Sequence, residues 1–194
     1  MDPLIPTNQE LIDGFLNSVP AAANTFHQRY SKRISRWVWR LLGDDREHED
    51  VVQQVFVNIF NSLPKLKKAD ALDSWVDSVT IRTVRYFLRK RRFRRALFID
   101  KEDANVAETA DKNSPFKETY VRLFYKILNS LPADDRIVFG LRYLEGCSID
   151  YIAAIGNYSN STAKRRLNRA KSVFTQKALE DFSLVALVEE YHAV

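Results

Sequence analysis

The chain has 194 residues, of which 45% are hydrophobic and 28% charged, with only five glycines and six prolines; this is the balance of a soluble globular protein and argues against a turn-rich all-β architecture. No run of about 18 apolar residues occurs, and the start "MDPLIPTNQE" lacks the charged-then-apolar layout of a signal peptide, so a cytoplasmic protein with no membrane insertion is expected. A single cysteine, Cys147, and three scattered histidines, His27, His48 and His192, give neither an internal disulfide nor ligands at metal spacing, so no cofactor is expected.

The net charge of +5 is modest, but it is unevenly spread. Eight basic residues and no acid lie between Arg82 and Arg95, then five acids and one lysine between Asp100 and Asp111, and five basic residues between Lys164 and Lys171. Two basic segments are thus separated by an acidic one. Either these are alternating solvated surfaces, or the basic ones oppose phosphate.

Taken in chain order, "NQELIDGFLNSV" and "AAANTFHQRYSKRISRWVWRLLG" carry apolar residues at helical spacing, with Phe26, Tyr30, Ile34, Trp37, Val38 and Leu41 on one face and Gly43 placed to end the second helix. Val52, Val55, Phe56, Ile59, Phe60 and Leu63 define a third helix stopped by Pro64. Its other face carries Asp50, Gln53, Gln54, Val57 and Asn61, which suits either docking or simple solvation.

After the loop "PKLKKADALDS", a helix is expected to begin near Trp75, capped by Asp73 or Ser74. Trp75, Val76, Val79, Thr83, Tyr86 and Phe87 fall on one side of it, and Ser78, Arg82, Arg85, Arg89 and Arg92 on another. Arginines stacked at i, i+4 spacing repel one another, and a facing anion such as a phosphate backbone relieves that repulsion.

Periodicity is lost from residue 94 to 115, which reads as an acidic linker. Beyond it, "TYVRLFYKILNSLP" and "ADDRIVFGLRYLEG" are two amphipathic helices, the second closed by Gly146. Ser148 then caps "IDYIAAI", Gly156-Asn157 turns the chain, and Ser159 caps a last helix, the layout of a helix-turn-helix. On that helix Ala163, Leu167 and Ala170 form the buried stripe, leaving Ser161, Thr162, Lys164, Arg165, Asn168 and Arg169 outside. Arginine and asparagine are the side chains that pair with guanine and adenine edges in the major groove, although any short helical hairpin with a polar face shows a similar pattern.

These modules together resemble a bacterial RNA polymerase sigma factor of the extracytoplasmic-function group. "EDVVQQVFVNIFNSLPKLKKADALDSWVDSVTIRTVRYFLRKRR" is similar to that family's region for polymerase docking and minus-10 recognition. "LPADDRIVFGLRYLEGCSIDYIAAIGNYSNSTAKRRLNRAK" resembles its minus-35 module. The likeness spans roughly residues 8 to 178.

It implies an all-α fold of two small helical domains: residues 1–95, an acidic linker 96–115 and a helix-turn-helix domain 116–178. The extension 179–194 runs beyond the family pattern, either as a helix packed on the second domain, which is the expected outcome, or as a contact for a regulator. The implied partners are the polymerase core, through its β′ clamp and β subunit, promoter DNA, and an anti-sigma factor.

By the same resemblance Asp50, Gln53, Gln54 and Asn61 dock the polymerase, with Phe56 in the core. Lys65, Leu66, Lys67 and Lys68 lie in a loop that captures a base flipped from the non-template strand, while Ser78, Arg82, Arg85 and Arg89 hold the melted minus-10 strand. Arg136, Ser161, Thr162, Lys164, Arg165, Asn168 and Arg169 meet the minus-35 element. The linker would mimic nucleic-acid charge near the polymerase active centre.

Departures from the family pattern bear on base preference. Gln54 stands where Glu is usual, Leu66 and Lys68 replace a common Phe and Gly, Arg82 replaces a frequent Asn, and Gly156-Asn157 replaces a Leu-Gly pair. No constellation for covalent chemistry is visible, so the chain is expected not to be an enzyme. The alternative from a different class is a stand-alone regulator whose helix-turn-helix binds an operator.

Overall fold

The computed structural model describes residues 6–43, 47–97 and 115–180, and among these the regular structure is entirely helical. Helix α1 (Asn8–Leu16) opens with a capping box in which the Thr7 side chain accepts from the Glu10 backbone N–H and the Glu10 carboxylate accepts from that of Thr7. Helix α2 (Pro20–Leu42) has proline in its first turn and ends at Gly43, whose φ is 58°. Helix α3 (His48–Ser62) runs into a 3-10 turn at Leu63–Lys65 that contains Pro64, and a second such turn at Ala69–Ala71 leads into α4 (Leu72–Leu97).

Helix α4 therefore starts before the expected Trp75. Asp73 lies in its first turn and accepts a 2.8 Å hydrogen bond from the Tyr30 hydroxyl, rather than standing outside as a cap.

The second unit holds α5 (Pro115–Ser130), α6 (Ala133–Tyr143), α7 (Ile149–Gly156) and α8 (Asn160–Glu180). Ser148 accepts from the Tyr151 N–H at 3.1 Å and Ser159 from the Thr162 N–H at 3.2 Å, so both expected caps form. Positive φ in the turn between α7 and α8 falls on Asn157, at 57°, while Gly156 is the last residue of α7. Its missing side chain leaves room for the Tyr158 ring, which an added Cβ would approach to 2.4 Å. The acidic stretch 98–114 and the extension beyond Glu180 lie outside the described residues.

The two units share a hydrophobic core. Phe26, Trp37, Leu41, Val55, Ile59, Val76 and Val84 of the first belong to the same buried cluster as Ile137, Val138, Leu141, Ile152 and Ile155 of the second. A smaller cluster, Leu128, Leu131, Phe139 and Ala170, belongs to the second unit alone. Burial of this kind is worth about 1.5–3 kcal/mol per large apolar side chain, which is what holds the seam. The backbones approach closely there: a Cβ on Gly43 would lie 2.1 Å from the Tyr125 ring, and one on Gly140 2.5 Å from Leu41.

Helix α4 runs through the middle, with α2 and α3 on one side and α6 and α7 on the other. A single apolar stripe therefore does not describe it. Ile81, Val84 and Leu88 are buried as well as Val76 and Val79, whereas Tyr86, grouped with Val76 and Val79 on one side of the helix by its spacing, is 62% exposed.

Candidate nucleic-acid interface

The outer face of α3 is open. Asp50, Gln53, Gln54 and Asn61 are exposed and surround Val57, itself 48% exposed, while Phe56 points inward. Asn58 secures the helix from beneath, donating to the Thr83 hydroxyl on α4 at 2.9 Å and accepting from Gln54 at 3.1 Å. The result is a rigid polar surface with an apolar centre, suited to docking a protein.

In the loop between α3 and α4, Lys65, Lys67 and Lys68 reach solvent, whereas Leu66 is half-buried and packs on the core. On α4, Ser78 is half-buried and its hydroxyl donates to the Ser74 carbonyl at 2.9 Å. Arg82 and Arg92 are exposed, as are the rings of Tyr86 and Phe93, so cations alternate with stacking surfaces along this helix. Arg85 departs from the expected stripe, since it turns toward the second unit with its side chain only 17% exposed.

On α8, Ser161, Lys164, Arg165 and Asn168 are exposed and Thr162 is half-exposed, over the buried Ala163 and Ala170. Small residues in that stripe let α8 lie close on α6. Arg169 also lies outside, but its guanidinium forms a two-pronged pair with both carboxylate oxygens of Asp135.

Arg136 sits elsewhere from the rest of the expected minus-35 set. It is buried on α6, its Nε and Nη2 donate at 2.6 Å to the carbonyls of Leu41 and Leu42, and its Nη1 donates to Asn129. Those carbonyls end α2 and lack intrahelical partners, so Arg136 caps a helix of the first unit.

Three polar clusters at the seam were not singled out from sequence. Asp77, buried on α4, accepts from Arg33 and from the Tyr151 hydroxyl of α7. Glu145 accepts from Arg36 at 3.1 Å, Trp37 at 2.9 Å and Arg40 at 2.8 Å. Asp134 faces Arg85, Arg89, Arg166 and Tyr158.

The two aspartates respond oppositely to these surroundings. At Asp77 burial dominates and raises the carboxyl above its ordinary value, against the Tyr151 hydrogen bond and the Arg33 charge. At Asp134 burial again pushes upward, but hydrogen bonds from Tyr158 and Arg89 and the charges of Arg166 and Arg85 outweigh it and hold the carboxyl low. Tyr158 is pushed up to about 12, by burial first and then by its bond to Asp134. Arg85 and Arg89 stood in the basic stripe read from the sequence, but the acids that meet them did not stand out there, because partners more than 20 residues away leave no local pattern.

Residues 26–94 match the family model "Sigma-70 region 2", and residues 122–183 match "Sigma-70, region 4". The chain belongs to the sigma-70 family, in its extracytoplasmic-function group. This sigma factor is 24% identical over 180 residues to the "ECF RNA polymerase sigma-E factor" of Escherichia coli, covering 88% of this chain and 94% of the relative, and shows the same figures with its counterpart in Salmonella typhimurium.

Among solved structures it is similar in fold to "CnrH in complex with the cytosolic domain of CnrY", with a TM-score of 0.60, 20% identity, and coverage of 88% of this chain and 96% of that one. It is also similar to "the sigma factor RpoE in complex with the anti-sigma factor NepR from Bartonella quintana", with a TM-score of 0.57, 21% identity, and coverage of 80% and 98%. The protein is thus an RNA polymerase sigma factor, a DNA-binding transcription initiation factor. The stand-alone regulator is not favoured. Among the described residues no helix is long and apolar enough to cross a membrane.

Proposed function

We propose that the three faces divide the work of promoter opening. The α3 face, with Asp50, Gln53, Gln54 and Asn61 around Val57, docks on the polymerase clamp. The Lys65–Lys68 loop and α4, with Arg82, Arg85 and Arg89 and the exposed rings of Tyr86 and Phe93, take the minus-10 strand. The outer face of α8, with Lys164, Arg165, Asn168 and Arg169, reads the minus-35 duplex.

The observation that carries this reading is the exposed polar face of α3, present in the same chain as an exposed reader helix. A free-standing operator binder needs only the second of these. Covalent chemistry is left to the polymerase. A sigma-binding regulatory protein is a further proposed partner, supported by the similarity in fold to RpoE captured with the anti-sigma factor NepR.

The test is the full-length double variant Asp50→Arg with Gln53→Ala, assayed for core polymerase binding and, separately, for binding to duplex promoter DNA. Loss of core binding with duplex binding intact is expected. Unchanged core binding would remove α3 from the docking surface.

A further inference from the structure

Arg85 and Arg89 stand about one turn apart on α4, on the face assigned above to the melted strand, yet both are already engaged. The Arg85 Nε lies 2.9 Å from Oδ1 of Asp134, and its Nη2 donates to the Gly156 carbonyl at 2.8 Å and the Tyr158 hydroxyl at 2.7 Å. Arg89 donates to Oδ2 of the same carboxylate at 2.9 Å. All of these acceptors belong to the second unit. Tyr158 completes the cluster: its hydroxyl donates to Asp134 at 2.7 Å, and the guanidiniums of Arg85 and Arg166 each lie 5.0 Å from its ring centroid. One carboxylate bridging two guanidiniums presents the charge and spacing that a strand phosphate would present to the same pair.

We propose that Asp134 occupies the phosphate site of α4, so that strand binding at Arg85 and closure of the second unit on the first exclude one another. The proposal rests on the reading of α4 as the strand-holding helix. The Arg85 side chain is 17% exposed, its Nη2 donates to Gly156 and Tyr158, and its buried Nε lies in the ion pair with Asp134, so the closed seam shields it from a strand phosphate.

The neighbouring Asp135 plays a different part. Its partners, Arg166 and Arg169, lie on α8 within the same unit, so that pairing survives any movement of one unit against the other. Of these two aspartates, Asp134 is the one whose pairs reach α4 across the seam. The contacts of Asp77 with Tyr151, of Glu145 with Arg36, Trp37 and Arg40, and of Arg136 with the end of α2 close the same seam. Separation must therefore be driven by a partner that binds the open form better, which the polymerase and the promoter phosphates supply together.

The experiment uses the full-length chain, a labelled single-stranded oligonucleotide followed by fluorescence anisotropy, and small-angle scattering in parallel. Asp134→Asn is expected to bind the oligonucleotide about fivefold or more tightly than wild type, a coupling at the modest end for linked sites, and to show a larger radius of gyration. The exposed acid Asp13, changed to Asn, controls for charge alone and is expected to shift affinity less than about twofold. Arg85→Glu and Asp134→Arg, each expanded singly, are expected to regain compactness when combined; this comparison needs no DNA.

Tighter binding with no change in dimensions, or a gain no greater than that of Asp13→Asn, would overturn the proposal while leaving the strand role of α4 standing. Expansion without tighter binding would overturn the competition by removing Arg85 from strand holding. A double variant that stays expanded would overturn the pairing across the seam.

Discussion

Replacing Arg136 by alanine separates two roles for one side chain, a minus-35 contact implied by the family resemblance and a structural cap seen in the fold. Arg136 is 3% exposed, and its guanidinium gives two 2.6 Å bonds to the Leu41 and Leu42 carbonyls and a third to Asn129. Hydrogen bonds from a charged donor contribute about 1.5–3 kcal/mol each, but they do not add when made by one rigid group. Removing one side of a buried charged cluster costs about 3–5 kcal/mol, and that is the expected loss for Arg136→Ala in urea unfolding followed by circular dichroism. Arg136→Lys keeps the charge but not the planar fork that meets acceptors on two elements, so an intermediate loss is expected. Stability unchanged within about 0.5 kcal/mol, together with selective loss of duplex binding, would refute the capping role and return Arg136 to the DNA.

On the reader helix, Arg165→Ala is expected to cost about 1–3 kcal/mol at one base position in a binding-site selection, whereas uniform weakening across sequences would reassign it to phosphate. The Tyr158 hydroxyl loses its proton less readily in the folded chain than in the unfolded one, so its stabilisation is fully present below its ordinary value near 10 and is lost as pH rises toward about 12. Urea midpoints of wild type and Tyr158→Phe should therefore converge over that alkaline range; a constant gap would refute the Tyr158–Asp134 bond. Gly43→Ala carries a positive-φ cost of about 1–2 kcal/mol and pushes against the Tyr125 ring, and should lower the melting temperature, while an unchanged value would mean that the two units do not meet there.

Much of the molecule was legible in its sequence because the deciding signals are local. Helix periodicity, the Ser148 and Ser159 caps, the left-handed ends at Gly43 and Asn157 and the Ala163–Ala170 stripe each depend on residues within a turn or two of one another. The polar face of α3 was equally visible, since its solvent side has a simple period. What escaped the sequence depends on the packing of one unit against the other. Helix α4 was read with one buried stripe because a helix in a single small domain has one, but here a second layer covers its opposite side, burying Ile81, Val84 and Leu88 and drawing Arg85 inward. Arg136 belonged to a plausible basic set until its acceptors, more than 90 residues away, were located. Asp77 and Glu145 carried no motif at all, and their importance comes from the arginines and tyrosine that the fold brings to them.

The most direct measurement mixes the full-length chain with core polymerase and a randomised promoter library, then sequences the transcripts. Start sites that share two fixed elements, with the upstream one altered by Arg165→Ala and all output lost in Asp50→Arg with Gln53→Ala, are the expected result. Failure of the wild-type chain to bind core polymerase at low salt, or transcripts that share no upstream element, would contradict the assignment of the three faces.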